Sequence, residues 1–188
     1  MFDLDDFLSR CEEAISESEP RRAIREVLER SVADPTAVAE ALAPTEGGIT
    51  LMHHTDDLTV LHVVWAPGMR IFPHNHEMWA AIGIYAGQED NEFFRRRRDA
   101  DGPTLTESGG KRLVTGDTVL LGDDTIHSVT NPASVLTGAI HIYGGDFVNQ
   151  PRSQWGPGDL TERPYDIDQT RSVFAAANDA WRASLEAG

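Results

Sequence analysis

The sequence predicts an all-β core, a sandwich or barrel, flanked by helices at both ends. Three observations carry that prediction. Between residues 49 and 147, short β-rich runs alternate with turn signals at regular spacing. Steps of three and four between apolar residues, the helical period, are confined to the two ends of the chain. The chain has 188 residues, of which 40% are hydrophobic and 25% charged, enough for one domain with a sizeable core.

Taken in order, Leu4, Phe7, Leu8, Cys11, Ala14 and Ile15 form one apolar stripe and predict a first helix. Pro20 opens a second, with Ile24, Val27 and Leu28 as its buried face. Asp34-Pro35 reads as an N-cap followed by proline at the first helical position, starting a short third helix that runs to about Leu42. Pro44, Gly47 and Gly48 break it. Strands are predicted over 58–65, 78–85, 92–97, 112–115, 118–121, 126–130 and 135–143. Turn signals separate them at 66–68, Asp101-Gly102-Pro103, Gly109-Gly110, Gly122-Asp123-Asp124 and Asn131-Pro132. Residues 150–164 read as a polar loop. A closing helix is expected with Phe174, Ala177, Trp181 and Leu185 on its buried stripe. The expected organisation is thus a helical segment over 1–46, a β core over 49–147, and a loop and helix over 148–188. The N-terminal helices are expected to cover an open end of the β core.

Composition narrows the function classes. There are 31 acidic residues against 16 Lys and Arg, a net charge of −15. Nucleic acid and anionic membrane both need a basic footprint, so neither is an expected partner. A single cysteine, Cys11, allows no intrachain disulfide and suits a reducing compartment. The acidic start has no signal-peptide pattern, and no apolar run reaches the roughly 20 residues of a membrane span. A cytoplasmic protein is expected.

The most informative stretch runs from Gly68 to His76. His74 and His76 stand two apart on a predicted strand, so their side chains share a face. Imidazole is the commonest metal ligand. A third histidine, His127, lies within 126–130, another predicted strand. Three imidazoles converging from two strands would leave coordination positions open for chemistry. His53, His54 and His62 read as structural histidines. The Arg95–Arg98 run reads mainly as solvated or locally paired charge.

These residues resemble the two cupin motifs. Gly68, His74, His76 and Gly87 match the first, although Ala80 or Ala81 stands at its glutamate position. Gly116, His127 and Asn131 match the second, with Gly122 and Asp124 replacing its proline and glycine. The resemblance implies a cupin double-stranded β-helix, or jelly roll. Two early histidines, no glutamate and a late third histidine resemble the three-histidine subgroup that includes the thiol dioxygenases. Ala139-Ile140-His141-Ile142-Tyr143 is similar to the Ser-x-His-x-Tyr strand of cysteine and 3-mercaptopropionate dioxygenases, with Ala139 in place of the serine. Trp79 follows the histidine pair as in the bacterial mercaptopropionate enzymes. Arg152 falls where those enzymes carry the arginine that holds the substrate carboxylate. Arg70, four residues before His74, is a further candidate facing the cavity.

The resemblance therefore implies His74, His76 and His127 as ligands of Fe(II) and His141 and Tyr143 as catalytic residues. It implies Arg152, Trp79 and Arg70 as substrate contacts. The activity implied is oxidation of a small carboxylate-bearing thiol, similar to 3-mercaptopropionate or cysteine, to its sulfinate with dioxygen. A Cys–Tyr thioether is excluded, because Cys11 lies in the helical segment. Alternatives are a three-histidine dioxygenase cleaving a β-diketone-like substrate, and a non-catalytic cupin binding metal or ligand. A homodimer is an expected assembly, as cupins often pair through barrel edges.

Overall fold

Alternating apolar runs separated by turns can close into a core only by pairing into sheets that face each other. The computed structural model describes residues 1–99, 102–156, 158 and 160–186. Three helices, α1 (Leu4–Ile15), α2 (Pro20–Val32) and α3 (Pro35–Leu42), come first. The strands are β1 (Gly48–His54), β2 (Thr59–Trp65), β3 (Arg70–Asn75), β4 (Ala80–Ala86), β5 (Gln88–Asp99), β6 (Gly102–Val114), β7 (Thr118–Leu121), β8 (Ile126–Thr130), β9 (Thr137–Tyr143), β10 (Ser153–Trp155) and β11 (Glu162–Pro164). Helix α4 (Ile167–Glu186) follows.

The strands form two antiparallel sheets, ordered β1-β2-β9-β4-β7 and β11-β10-β3-β8-β5-β6. From β2 to β5, and again from β7 to β10, each strand crosses to the sheet opposite its predecessor. That winding is a double-stranded β-helix, the jelly roll expected from the sequence.

The apolar residues segregate to two faces of the five-stranded sheet. Leu61, Val63, Ile82, Ile84 and Ala139 point between the sheets. Val60, Ala81, Tyr85, Ile140 and Ile142 point outward and are covered by Ile24, Val27, Leu28 and Val32 of α2. Because both faces are covered, β2 and β9 are buried at every residue. The N-terminal helices thus cover the outside of a sheet rather than an open barrel end. Asp3 caps α1 by accepting from the Asp6 amide, and Asp34 caps α3 by accepting from Ala37. Cys11 is buried in this helical cluster, where burial, with a smaller push from Glu12, raises its thiol to about 12.

Several elements differ from expectation. Strand β1 was not anticipated as a separate strand. The predicted strands at 92–97 and 112–115 are parts of a hairpin whose arms extend over Gln88–Asp99 and Gly102–Val114. The expected break at Gly109-Gly110 is instead an irregularity inside the paired arms, where the register shifts opposite Phe93 and Phe94. Asp101 of the expected turn lies outside the described residues. The segment expected as a loop carries β10 and β11. Gln154 of β10 pairs with His74 of β3, extending the six-stranded sheet across the histidine cluster. In α4 the buried residues are Thr170, Phe174 and Asn178, while Leu185 is 65% exposed. Asn178 explains the phase: it accepts from the Gly47 amide and donates to the Gly47 carbonyl, tying the helix to the start of β1.

Candidate metal centre

Histidines two apart on a strand face one way, and a cross-strand partner can meet them only if register allows. It does here. His74 of β3 is paired with His127 of β8. His76 lies just past the end of β3, where Glu77 adopts a left-handed backbone (φ 55°) and accepts a hydrogen bond from Asn75. The chain turns there, yet His76 keeps facing inward. All three histidines are buried, and their candidate ligand atoms lie within 4.8 Å of one another.

His76 Nε2 is 3.3 Å from His74 Nε2 and 3.2 Å from His127 Nε2. Two imidazole nitrogens about 2.1 Å from one ion stand about 3.0 Å apart at a right angle and about 3.4 Å apart at a tetrahedral angle. The observed spacings fall between these values. The tautomers agree: His74 Nδ1 donates to the Phe72 carbonyl at 3.1 Å, and His127 Nδ1 donates to Asn91 Oδ1 at 2.7 Å. Each Nε2 is then left as a lone pair aimed at the shared centre. His76 Nδ1 is buried without a partner, so packing orients that ring, edge-on to Tyr143 at 5.1 Å and to Phe147 at 5.7 Å.

Burial pushes all three imidazoles toward the neutral form. His74 is lowered to about 4, burial outweighing the help from the Phe72 carbonyl. His76 and His127 lie well below the usual histidine value, first through burial and then through the neighbouring histidines. Neutral imidazole is the metal-binding form. The cluster therefore fits a divalent ion without prior loss of a proton near neutral pH.

The five-stranded sheet supplies the other side. His141 and Tyr143 of β9 share the inward face, with His141 Nδ1 3.2 Å from the Tyr143 hydroxyl. Ala80, one of the two alanines that stand where the resembled motif has glutamate, is the cross-strand partner of Tyr143. A small side chain there leaves room beside the phenol ring.

A buried carboxylate does enter the centre, from a residue that sequence reasoning missed. Glu89 of β5 has no exposed surface. It accepts from Trp65 Nε1 at 2.8 Å and from Asn91 Nδ2 at 2.9 Å, and lies 3.6 Å from His141 Nε2. Burial alone would raise its carboxyl, but His141, Asn91 and Trp65 together hold it below its usual value. His141 Nε2 makes no hydrogen bond among the described residues, and the Glu89 charge 3.6 Å away favours a proton on it. Nδ1 is then the acceptor and Tyr143 the donor. Through Asn91 the same carboxylate steadies His127. One acid thus stands behind both His127 and the His141–Tyr143 pair. Ala139 has no side chain that could reach the far nitrogen of His141, whose neighbour is the Glu89 carboxylate.

Arg152 lines the same cavity. Its guanidinium lies 4.0 Å from the ring centres of both Phe147 and Tyr165. Phe147 in turn stacks on Tyr143 at 3.8 Å. One Nη1 donor goes to the Phe147 carbonyl at 2.8 Å, while the buried Nε has no partner. No carboxylate among the described residues pairs with Arg152. Burial raises the Tyr143 phenol well above its usual value, with Arg152 opposing.

Two expected substrate contacts are corrected. Trp79 is buried on the outward face with Ala81 and Tyr85, against the helices. Its indole lies where a Cβ on Gly144 would come within 1.9 Å, so it needs glycine there and does not reach the cavity. Arg70 is exposed and paired with Glu92, outside the cavity. The structural readings of the other histidines hold: His62 bonds to Tyr85, His54 to Asp146, and His53 lies 3.4 Å from Glu12. Arg96 of the arginine run is paired with Glu162 at 2.9 Å.

Of the residues missed, Glu89 and Asn91 carried a weak signal, two polar residues with one between them on a strand. Phe147 and Tyr165 carried none, since turns and a short strand place them.

No family model matches the chain. Among solved structures it is similar to an uncharacterised double-stranded β-helix protein from Klebsiella pneumoniae, at 16% identity over 62% of this chain and 87% of that one, with a TM-score of 0.47. It is also similar to a cupin superfamily protein from Desulfitobacterium hafniense, at 14% identity over 58% and 88%, TM-score 0.45. A cupin domain from Bordetella pertussis is similar at 16% identity over 52% and 92%, TM-score 0.37. The double-stranded β-helix rests on the strand winding itself, and these likenesses carry no residue roles.

Proposed function

We propose that the protein is a mononuclear non-haem Fe(II) dioxygenase that adds both atoms of dioxygen to the sulfur of a carboxylate-bearing thiol, giving the sulfinate. One observation carries the reading: three converging buried histidines, a His141–Tyr143 pair and an arginine without an acid partner among the described residues share one cavity. Three neutral imidazoles leave the charge of a divalent ion uncompensated, which favours an anionic co-ligand such as a thiolate. Bound Fe(II) would supply the redox chemistry that lets dioxygen react with the thiolate.

The chain's own residues do the rest. Arg152 holds the carboxylate by charge-assisted hydrogen bonds from its free donors, the Phe147 and Tyr165 rings fixing the plane of the guanidinium. Tyr143 holds a proton at its hydroxyl, on a side chain that lines the cavity together with the three histidines. His141 accepts from that hydroxyl, and Glu89 keeps His141 in the tautomer that does so. Tyr143 stacked on Phe147, and Tyr165 against the Arg152 guanidinium, form an aromatic wall beside the reacting groups.

Anaerobic Fe(II) reconstitution, followed by 3-mercaptopropionate or cysteine and oxygen, tests the reading. Oxygen uptake matched by sulfinate is expected. Absence of sulfinate with every carboxylate-bearing thiol tried would sink it. A second reading, cleavage of a β-diketone by the same ligands, is favoured by Ala139 and separates in the same assay, since it consumes diketone and spares thiol.

A further inference from the structure

The cavity is much larger than the smallest substrates the proposed reaction would need. Its volume is about 740 Å³. At about 30 Å³ per water-sized group, the six heavy atoms of 3-mercaptopropionate would fill roughly a quarter of it. Most of the remaining lining is apolar, with Gln150, Thr170 and Arg171 as its other polar side chains. From the histidines the cavity runs along Leu61, Val63, Trp65, Ile71, Val129 and Phe174, all buried side chains between the sheets and α4. Trp65 and Phe174 stack at 5.5 Å to form one end of that wall.

The apolar lining continues to the surface. Ile49 and Leu51 of β1, Val148, and Ile167 at the start of α4 all line the cavity, and they are 43%, 50%, 51% and 44% exposed. A protein with 31 acidic residues in 188 has no shortage of charged side chains for a rim. Here four large apolar residues, from three separate segments, gather around one opening. Within the same cavity Arg152 has a buried Nε without a partner.

We infer that the cavity binds a carboxylate bearing an extended apolar body, an alkyl chain or aromatic ring of about eight or more carbons. Arg152 takes the carboxylate, and the body lies along the Leu61–Val63–Trp65–Phe174 wall or out over the apolar rim. This names the substrate class of the site and rests on the reading of Arg152 as carboxylate anchor, but not on the oxidation chemistry.

The test is direct binding. Metal-free protein is titrated calorimetrically with butyrate, hexanoate, octanoate and 3-phenylpropionate at physiological salt. Affinity should rise with length, by two- to fourfold for each added methylene, because each is taken out of water. Arg152→Leu should weaken octanoate by tenfold or more, with Arg152→Lys recovering part of the loss. Val63→Phe, which fills the wall, should flatten the length dependence. Thermal melts check that each variant folds, and the wild-type series stands without them. A series flat or falling with length would overturn the inference, as would a dimer whose contact closes the rim. If the series behaves as expected but no thiol is oxidised, the binding inference stands and the dioxygenase reading fails. If short thiols are oxidised as well as long ones and the series is flat, the reverse holds.

Discussion

The five-stranded sheet carries two buried His–Tyr pairs, one on each face, and their difference locates the chemistry. On the outer face His62 Nε2 and the Tyr85 hydroxyl are 2.6 Å apart, with Tyr85 buried in the helix-covered cluster. On the inner face His141 Nδ1 and the Tyr143 hydroxyl are 3.2 Å apart and line the cavity. The outer pair satisfies itself. The inner pair belongs to a chain of contacts running from Trp65 through Glu89 to His141 and Tyr143, with a branch through Asn91 to His127. Identical residue types therefore serve packing on one face and a candidate reaction centre on the other. What separates them is the cavity and the ionised partner behind it.

The largest predicted contrast is in metal binding. His76→Ala or His127→Ala should reduce Fe(II) affinity by at least about 100-fold, more than losses typical of residues that only orient ligands. His62→Ala should leave metal binding unchanged and lower stability by about 1–3 kcal/mol, by emptying a buried site and unpairing Tyr85. Metal analysis after anaerobic loading, beside thermal melts, checks both.

Next come the two tyrosines. Tyr143→Phe should lower turnover by about 10²–10⁴-fold, the usual range for loss of a positioned proton donor. Its cost in stability should be small, because water in the cavity can replace the hydroxyl at His141. Tyr85→Phe should do the opposite, costing about 1–3 kcal/mol by orphaning His62 while sparing turnover. Equal effects of the two variants on turnover would erase the distinction between the faces.

Glu89→Gln keeps the shape of the side chain and removes the charge. It should lower metal affinity or turnover by about 10–100-fold, the range for a group that orients ligands at one remove. A loss of stability with metal affinity and turnover both unchanged would assign Glu89 to packing alone.

A smaller effect is expected in metal-free stability against pH. His74 titrates near 6.5 when unfolded and near 4 when folded. Between those values the unfolded chain binds more protons, so stability falls as pH drops from 6.5 toward 4. The loss is on the order of 3 kcal/mol from His74 alone, with His76 and His127 adding in the same direction. Urea titrations at pH 7 and pH 4 measure it. The smallest effect belongs to Arg70→Ala, which removes an exposed ion pair and should change stability by less than about 1 kcal/mol and turnover not at all.

The parts of the site legible in the sequence are those set by local periodicity. Alternation along β3 and β9 put His74 with His76 and His141 with Tyr143, and each pair does share a face. Glu89 was invisible for a physical reason. Its meaning depends on which strands flank β5 and on Trp65 reaching it from the other sheet, neither of which is encoded near residue 89. Trp79 shows the converse. A resemblance placed it at the substrate, but Trp79 precedes inward-facing Ala80 of β4 and turns outward, and Gly144 leaves the space it occupies. The arms of the β5–β6 hairpin were underestimated because Gly109-Gly110 reads as a turn, although the pairing absorbs it. In α4 the polar Asn178 is buried because it bonds both backbone groups of Gly47, which apolar periodicity does not register.

Anaerobic titration with Fe(II), comparing the wild type with His76→Ala and His127→Ala, tests the central claim most directly. One equivalent bound by the wild type and none by either variant, with all three folded, is the predicted result. No binding by the wild type, or binding that survives both substitutions, would contradict a three-histidine metal centre.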